Sequence, residues 1–250
     1  ASDLNDAMRA ADNDAIWCLR GGYGTMRILD RLDWKAFAAR PRPLVGFSDN
    51  TALHLAALRS GVVSFHGPHP AAAEIPDFSA KELLRLLTDA KPAGLLPLPP
   101  GHTTHPETVV GGVAEGRLMG GNLALLAAMA GTPYALQAEG AILFIEDVGE
   151  PAYRIDRMLS QLLLSGALTG VKGVMVGAFN EPLGEAPGLP GATDVITERL
   201  GGLGFPLATG FPFGHIEESW TLPLGVRARL DADAGTLEIT EAAVAARMAG

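Results

Sequence analysis

The chain has 250 residues and a mass of 26.0 kDa, enough to bury one large core or two small ones. Its net charge of −9, with no cluster of Lys or Arg, argues against a nucleic-acid or anionic-membrane partner, since both are bound through basic patches. Hydrophobic residues make up 48%, yet no apolar run approaches the ~20 residues that span a bilayer, and Ala1-Ser2-Asp3-Leu4-Asn5-Asp6 lacks the basic start and apolar core of a secretory signal.

In chain order, Leu4, Met8 and Ala11 suggest a helix with no strand ahead of it. Asp14-Ala15-Ile16-Trp17-Cys18-Leu19 reads as a buried strand, and Cys18 sits inside it. As the one cysteine, Cys18 excludes an internal disulfide and a thiolate metal cage, and cytoplasm is the expected compartment. The strand runs into Arg20-Gly21-Gly22-Tyr23-Gly24, and a helix follows from about Thr25 to Leu32. This invites a dinucleotide-binding reading, but Arg27 stands where the third glycine should be and no acidic residue follows at the expected distance. The free N–H groups of such a turn suit an oxyanion as well as a phosphate.

A second strand-turn-helix unit follows in Pro43-Leu44-Val45-Gly46-Phe47-Ser48-Asp49-Asn50-Thr51. It places Ser48 at an apex with its hydroxyl exposed, and the next N–H groups open the helix Thr51 to Leu58. A nucleophile needs that geometry, because those N–H groups can hold the oxyanion its attack creates. Asn50 replaces the second glycine of the usual G-x-S-x-G, and the plainer reading has Ser48 or Asp49 merely capping the helix. A third strand, Val62 to His66, and a helix, Ser79 to Thr88, complete a pattern of alternating strands and helices. That pattern predicts a Rossmann-like parallel sheet flanked by helices, with active groups at the carboxyl ends of its strands.

The prolines between Lys91 and Pro106 read as a linker, so the expected division is 1–90, a linker at 91–106, and 107–250. The second part is expected to be a smaller α/β domain with some antiparallel strands. It opens on a glycine-rich stretch, Gly111 to Leu118, and Gly120-Gly121-Asn122 leads into a helix, Leu123 to Met129. Ala141 to Ile145 is a buried strand ending in Glu146-Asp147, Tyr153 to Ser165 a strong helix, and Val171 to Val176 another buried strand. Arg227-Ala228-Arg229-Leu230 and Leu237-Glu238-Ile239 flank Asp233-Ala234-Gly235 as a hairpin.

Three polar residues stand at ends of apolar strands or in turns, in the order Ser48, Glu146, His215. They can serve as nucleophile, orienter and general base: a serine hydroxyl needs an imidazole to take its proton, and the imidazolium needs a carboxylate. Against this, Glu146 could cap a loop and His215 could be a satisfied histidine of a turn. His66 and His69, and His102 and His105, suggest metal ligands by spacing, but proline and glycine prevent either pair from aligning on a helix. They read as loop residues, His54 as an ordinary helical histidine, and neither metal nor cofactor is expected.

The segments 20–24, 46–51 (Gly-Phe-Ser-Asp-Asn-Thr) and 66–68 (His-Gly-Pro) resemble, in order, the LD-carboxypeptidases, the family that also holds the microcin C immunity peptidases. The resemblance continues through 120–123, 144–150 (Phe-Ile-Glu-Asp-Val-Gly-Glu), 153–159 and 214–225, nearly the whole chain. It implies a serine peptidase with Ser48 as nucleophile, His215 as general base and Glu146 as orienter, and an oxyanion hole from the N–H groups of Asp49 and Gly22. It also implies a strand-helix-strand unit ahead of the segment matching Ala1, which leaves the strand count of the first sheet open. The implied reaction releases terminal D-alanine from the tetrapeptides of cell-wall recycling. A small peptide is then the partner, with a homodimer left open. Two alternatives remain. An immunity-type peptidase would need a stacking platform, for which Trp220 is placed to line the pocket; a catalytically dead binding module would need none of the three polar residues.

Overall fold

The structure, a computed structural model, describes residues 1–71, 74–102, 105–180 and 190–246. Among them the strands run β1 Ile16–Trp17, β2 Leu44–Gly46, β3 Ser64–His66, β4 Gly94–Leu95, β5 Glu107–Val110, β6 Val113–Asn122, β7 Ala141–Val148, β8 Gly173–Asn180, β9 Leu207–Thr209, β10 Leu222–Leu224, β11 Arg227–Asp231 and β12 Thr236–Ile239. They make two sheets. The first has the order β1-β2-β3-β10, with β1 to β3 parallel and β10 antiparallel to β3. The second has the order β4-β12-β11-β6-β7-β8-β9-β5, parallel from β6 to β9 and antiparallel on both flanks.

The α/β class is the expected one, but the relative sizes are reversed, with eight strands in the second sheet against four in the first. The main reason lies in residues 111–118. Their glycines depress strand propensity, yet most of them belong to β6, ten residues long. Beneath the glycines is a plain alternation, with Val113, Glu115 and Arg117 exposed and Ala114, Gly116 and Leu118 buried. The passage expected to be structureless contributes β4, which pairs with β12. Prolines tolerate this because a two-residue edge strand asks for few of their missing N–H groups. Thr103 and Thr104 of the H-T-T-H stretch lie outside the described residues. The strand expected over 14–19 is shorter: Cys18 follows β1, half-buried, and burial pushes its thiol up to about 11.

Helix Thr51–Arg59 shows why the two sheets lie together. It is buried on nearly every side, from Thr51 through Ala57, as suits a helix with Ala or Leu at six of its nine positions. Its Leu53 and Leu55 belong to one cluster with Leu123 and Leu126 of helix Leu123–Ala128 and Ile155, Leu159 and Leu162 of helix Ala152–Leu164. Each such leucine stabilises the fold by about 2 kcal/mol relative to exposure. β10 ties the sheets a second time by setting Leu222 opposite His66 and Leu224 opposite Ser64. The carboxyl ends of β2 and β3 therefore face the segment that carries His215.

Candidate active site

Ser48 follows β2 and Phe47 and opens a 3₁₀ turn, Ser48–Asn50, that runs directly into helix Thr51–Arg59. Its φ of +61° makes it the one non-glycine residue in the left-handed region among the described residues. That conformation costs an L-residue about 1–2 kcal/mol, and it aims the hydroxyl away from the sheet. Packing enforces it. A Cβ on Gly21 would come within 3.0 Å of Ser48 Cβ and 3.3 Å of its Oγ, so the glycine turn presses directly on the serine. Asp49 locks the two turns together, its Oδ2 accepting from Thr25 N–H at 2.9 Å and from Thr25 Oγ1 at 2.6 Å.

His215 lies over this apex. Its Nε2 is 3.1 Å from Ser48 Oγ and its Nδ1 is 2.7 Å from Glu146 Oε2. With a carboxylate at Nδ1, that nitrogen carries the proton and donates, leaving Nε2 to accept from the serine hydroxyl. Glu146 ends the apolar part of β7 and its side chain has 0% exposure, against 21% for His215. Gly214 permits the approach: its φ is +107°, and a Cβ there would lie 2.9 Å from Glu146 Oε2. The register of β7 on β8 shifts between Ile145 and Asp147, and such irregularities re-aim side chains. Asp147 consequently accepts from Asn122 Nδ2, Ala124 N–H and Val148 N–H, each at 2.8 Å. Burial outweighs these donors and raises its carboxyl to about 6.

The expected oxyanion donors, Asp49 and Gly22, lie on the two turns that meet at the apex. Asp49 is in the first turn after the apex, where helical N–H groups have no intrahelical acceptor. The N–H of Gly22 meets no acceptor among the described residues, whereas that of Gly21 points to His69 Nδ1 at 3.2 Å.

Three histidines read as bland or loop residues surround this apex. His54 is fully buried, donates from Nε2 to Gly46 O at 2.8 Å and accepts at Nδ1 from Ser64 Oγ at 2.9 Å. Burial lowers it to about 4. His66 ends β3 at 1% exposure, wedged between Phe47 and Phe144, with neither ring nitrogen partnered among the described residues. Burial, then the neighbouring histidines, hold it well below the usual range. Around His69, Gly21 N–H lies 3.2 Å from Nδ1, and Phe47 N–H and Asn50 Nδ2 lie 3.3 and 3.1 Å from Nε2; a neutral ring accepts on one of these two sides only. Burial first, with the charge of Arg20 and of a protonated His215 adding to it, keeps its pKa low. The signal for His66 and His69 was the H-G-P-H run at the same sheet edge as the serine. Among the described residues, no group of three or more His, Cys, Asp or Glu is arranged to hold a metal ion.

A cavity of about 790 Å³ opens beside the apex, its lining including Arg20, Phe47, His66, His69 and Gly214 together with Glu74, Asp77, Glu217 and Glu218. Trp220 does not line it. That indole is 1% exposed, packs on Phe211 and donates from Nε1 to Pro97 O at 2.6 Å. Five residues after His215, the chain has already turned inward to reach β10.

Known proteins match this architecture. The description LD-carboxypeptidase N-terminal domain fits residues 1–67, and LD-carboxypeptidase C-terminal domain fits residues 115–230. The murein tetrapeptide carboxypeptidase of Pseudomonas aeruginosa is 38% identical over 240 residues, covering 92% of this chain and 76% of its own. The crystal structure of muramoyltetrapeptide carboxypeptidase from Oxalobacter formigenes superimposes with a TM-score of 0.83 at 34% identity, covering 96% of this chain and 83% of that one. The microcin C7 self-immunity protein MccF in complex with aspartyl sulfamoyl adenosine gives 0.87 at 27% identity, covering 98% and 81%. The chain belongs to the LD-carboxypeptidase family and is a serine carboxypeptidase, a hydrolase.

Proposed function

We propose that the protein hydrolyses the L,D-peptide bond that releases terminal D-alanine from peptidoglycan-derived tetrapeptides, a recycling reaction of the cytoplasm. The observation that carries this reading is the line Ser48 Oγ, His215 Nε2, His215 Nδ1, Glu146 Oε2, at 3.1 and 2.7 Å. In it Ser48 attacks the carbonyl carbon while its proton passes to His215 Nε2. Glu146 holds the ring by Nδ1 and balances the imidazolium charge. The tetrahedral oxyanion is held by the N–H groups of Asp49 and Gly22. His215 then returns the proton to the leaving D-alanine nitrogen, and water takes the serine's place to free the acyl group. Hydrophobic packing joins the part that bears Ser48 to the part that bears His215 and Glu146, so the site is assembled across the boundary between residues 1–90 and 107–250.

The test is incubation with a tetrapeptide ending in D-alanine and mass detection of the products. Release of D-alanine supports the reading; a second arm supplies an aminoacyl sulfamoyl nucleotide. Cleavage of the nucleotide conjugate alone would replace the muropeptide reading with the immunity-type one. The burial of Trp220 weighs against that outcome, because it removes the expected stacking platform.

A further inference from the structure

The lining of the cavity is unequal in charge. Glu74, Asp77, Glu217 and Glu218 supply four carboxylates, and Arg20 is the one cation among the lining residues. Arg20 is exposed, and its guanidinium makes no hydrogen bond or ion pair among the described residues. Its backbone, by contrast, is fixed: Arg20 O accepts from Asn50 Nδ2 at 3.2 Å, within the turn that carries Ser48. The guanidinium lies 3.5 Å from where a Cβ of Gly22 would be, and on the same measure Gly21 is 3.3 Å from Ser48 Oγ. The positive charge and the serine hydroxyl therefore lie against adjacent glycines of one turn.

We infer that Arg20 receives the free terminal carboxylate of the substrate. This rests on the peptidase reading above and deepens it. An anionic end group placed elsewhere in the cavity would face carboxylates, whereas at Arg20 it gains a two-pronged, charge-assisted pair. Because one backbone segment carries both the guanidinium and the glycine pressed against Ser48, a carboxylate held at Arg20 brings the bond next to it toward the serine hydroxyl. The enzyme thereby removes single terminal residues and passes over internal bonds.

The test compares a D-alanine-terminated tetrapeptide with the same peptide ending in D-alaninamide, using the wild-type protein, Arg20→Gln and Arg20→Lys. The wild type should prefer the acid in kcat/KM by on the order of 10², equivalent to about 2.7 kcal/mol. Arg20→Gln should bring that ratio to within about threefold of unity, and Arg20→Lys should keep part of it, as a point charge without the fork. A ratio in Arg20→Gln within threefold of the wild-type value overturns the inference. Calorimetric binding of both peptides to Ser48→Ala and to Ser48→Ala/Arg20→Gln separates this from failure of the peptidase reading. An acid-over-amide preference in Kd that vanishes with Arg20 supports the carboxylate contact whether or not turnover is seen; equal binding of acid and amide by Ser48→Ala overturns it. Unchanged melting temperatures for the Arg20 variants check that only recognition was altered.

Discussion

Replacing Glu146 by Gln alters the shape of the site least and its charge most. The carboxylate is wholly buried, Oε2 meets His215 Nδ1 at 2.7 Å, and Oε1 has no partner among the described residues. When His215 takes the serine proton, opposite charges centred about 4 Å apart at an effective dielectric near 20 attract by roughly 4 kcal/mol. At 1.36 kcal/mol per factor of ten, losing that attraction lowers kcat about 10³-fold. An amide can add to this by turning its NH₂ toward Nδ1, which favours the tautomer with its proton on Nε2, unable to accept from Ser48. A loss of roughly 10³–10⁴ is therefore expected, in line with amide substitutions at other triad carboxylates. Stability should not fall, since the substitution removes a buried charge without leaving a cavity. Turnover of the tetrapeptide and a thermal melt are the measurements. Activity within tenfold of wild type in a protein that melts normally would refute Glu146 as orienter.

Ser48→Ala should abolish turnover, a loss on the order of 10⁶ in kcat, while leaving peptide binding measurable by calorimetry. Ser48→Gly should be as inactive yet more stable than Ser48→Ala by about 1 kcal/mol in urea unfolding, because glycine is at ease at the φ of +61°; equal stability would mean the turn is unstrained. His54 is lowered to about 4 in the fold, so the unfolded chain takes up its proton first as pH falls below about 6.5. Its contribution is complete above that value and about 2 kcal/mol of it is gone by pH 5, with Asp147, raised to about 6, acting in the opposite direction. His54→Gln should accordingly flatten the fall in stability from pH 7 to 5, and parallel curves for the two proteins would contradict this. Chelator treatment should leave hydrolysis unchanged if His215 is the base, as proposed; inactivation reversed by zinc would contradict that.

The sequence carried the apex and the two residues that meet it because Ser48 and Glu146 each follow an apolar run and His215 a glycine- and proline-marked turn, signals visible without coordinates. Glu146 after Leu143-Phe144-Ile145 is the clearest case. What stayed hidden depended on pairing between distant segments. β6 was masked by its glycines, which are compatible with a strand only once its neighbours are known. β10 is given no secondary structure by its sequence, since Leu222-Pro223-Leu224 has no alternation, and its place beside β3 makes it a strand. Trp220 lies close to His215 in sequence, but the need to bury an indole turned it inward. His69 could not be ranked above His102 or His105 by spacing, because its place beside the apex comes from contacts with Gly21, Phe47 and Asn50 on two other segments.

On the proposed triad, β10 also sets the moment at which the protein becomes able to react. Ser48 and His215 are 167 residues apart, and the strand that holds the second half against β3 is Leu222–Leu224. During synthesis the serine turn and its parallel strands emerge first, yet His215 cannot reach the hydroxyl until residue 215 and the strand after it have left the ribosome. Closing so long a loop is slow relative to forming local helices. A nascent or prematurely terminated chain therefore carries an exposed but unactivated serine. Chains ending before residue 222 should be inert toward both the tetrapeptide and active-site-directed acylating reagents.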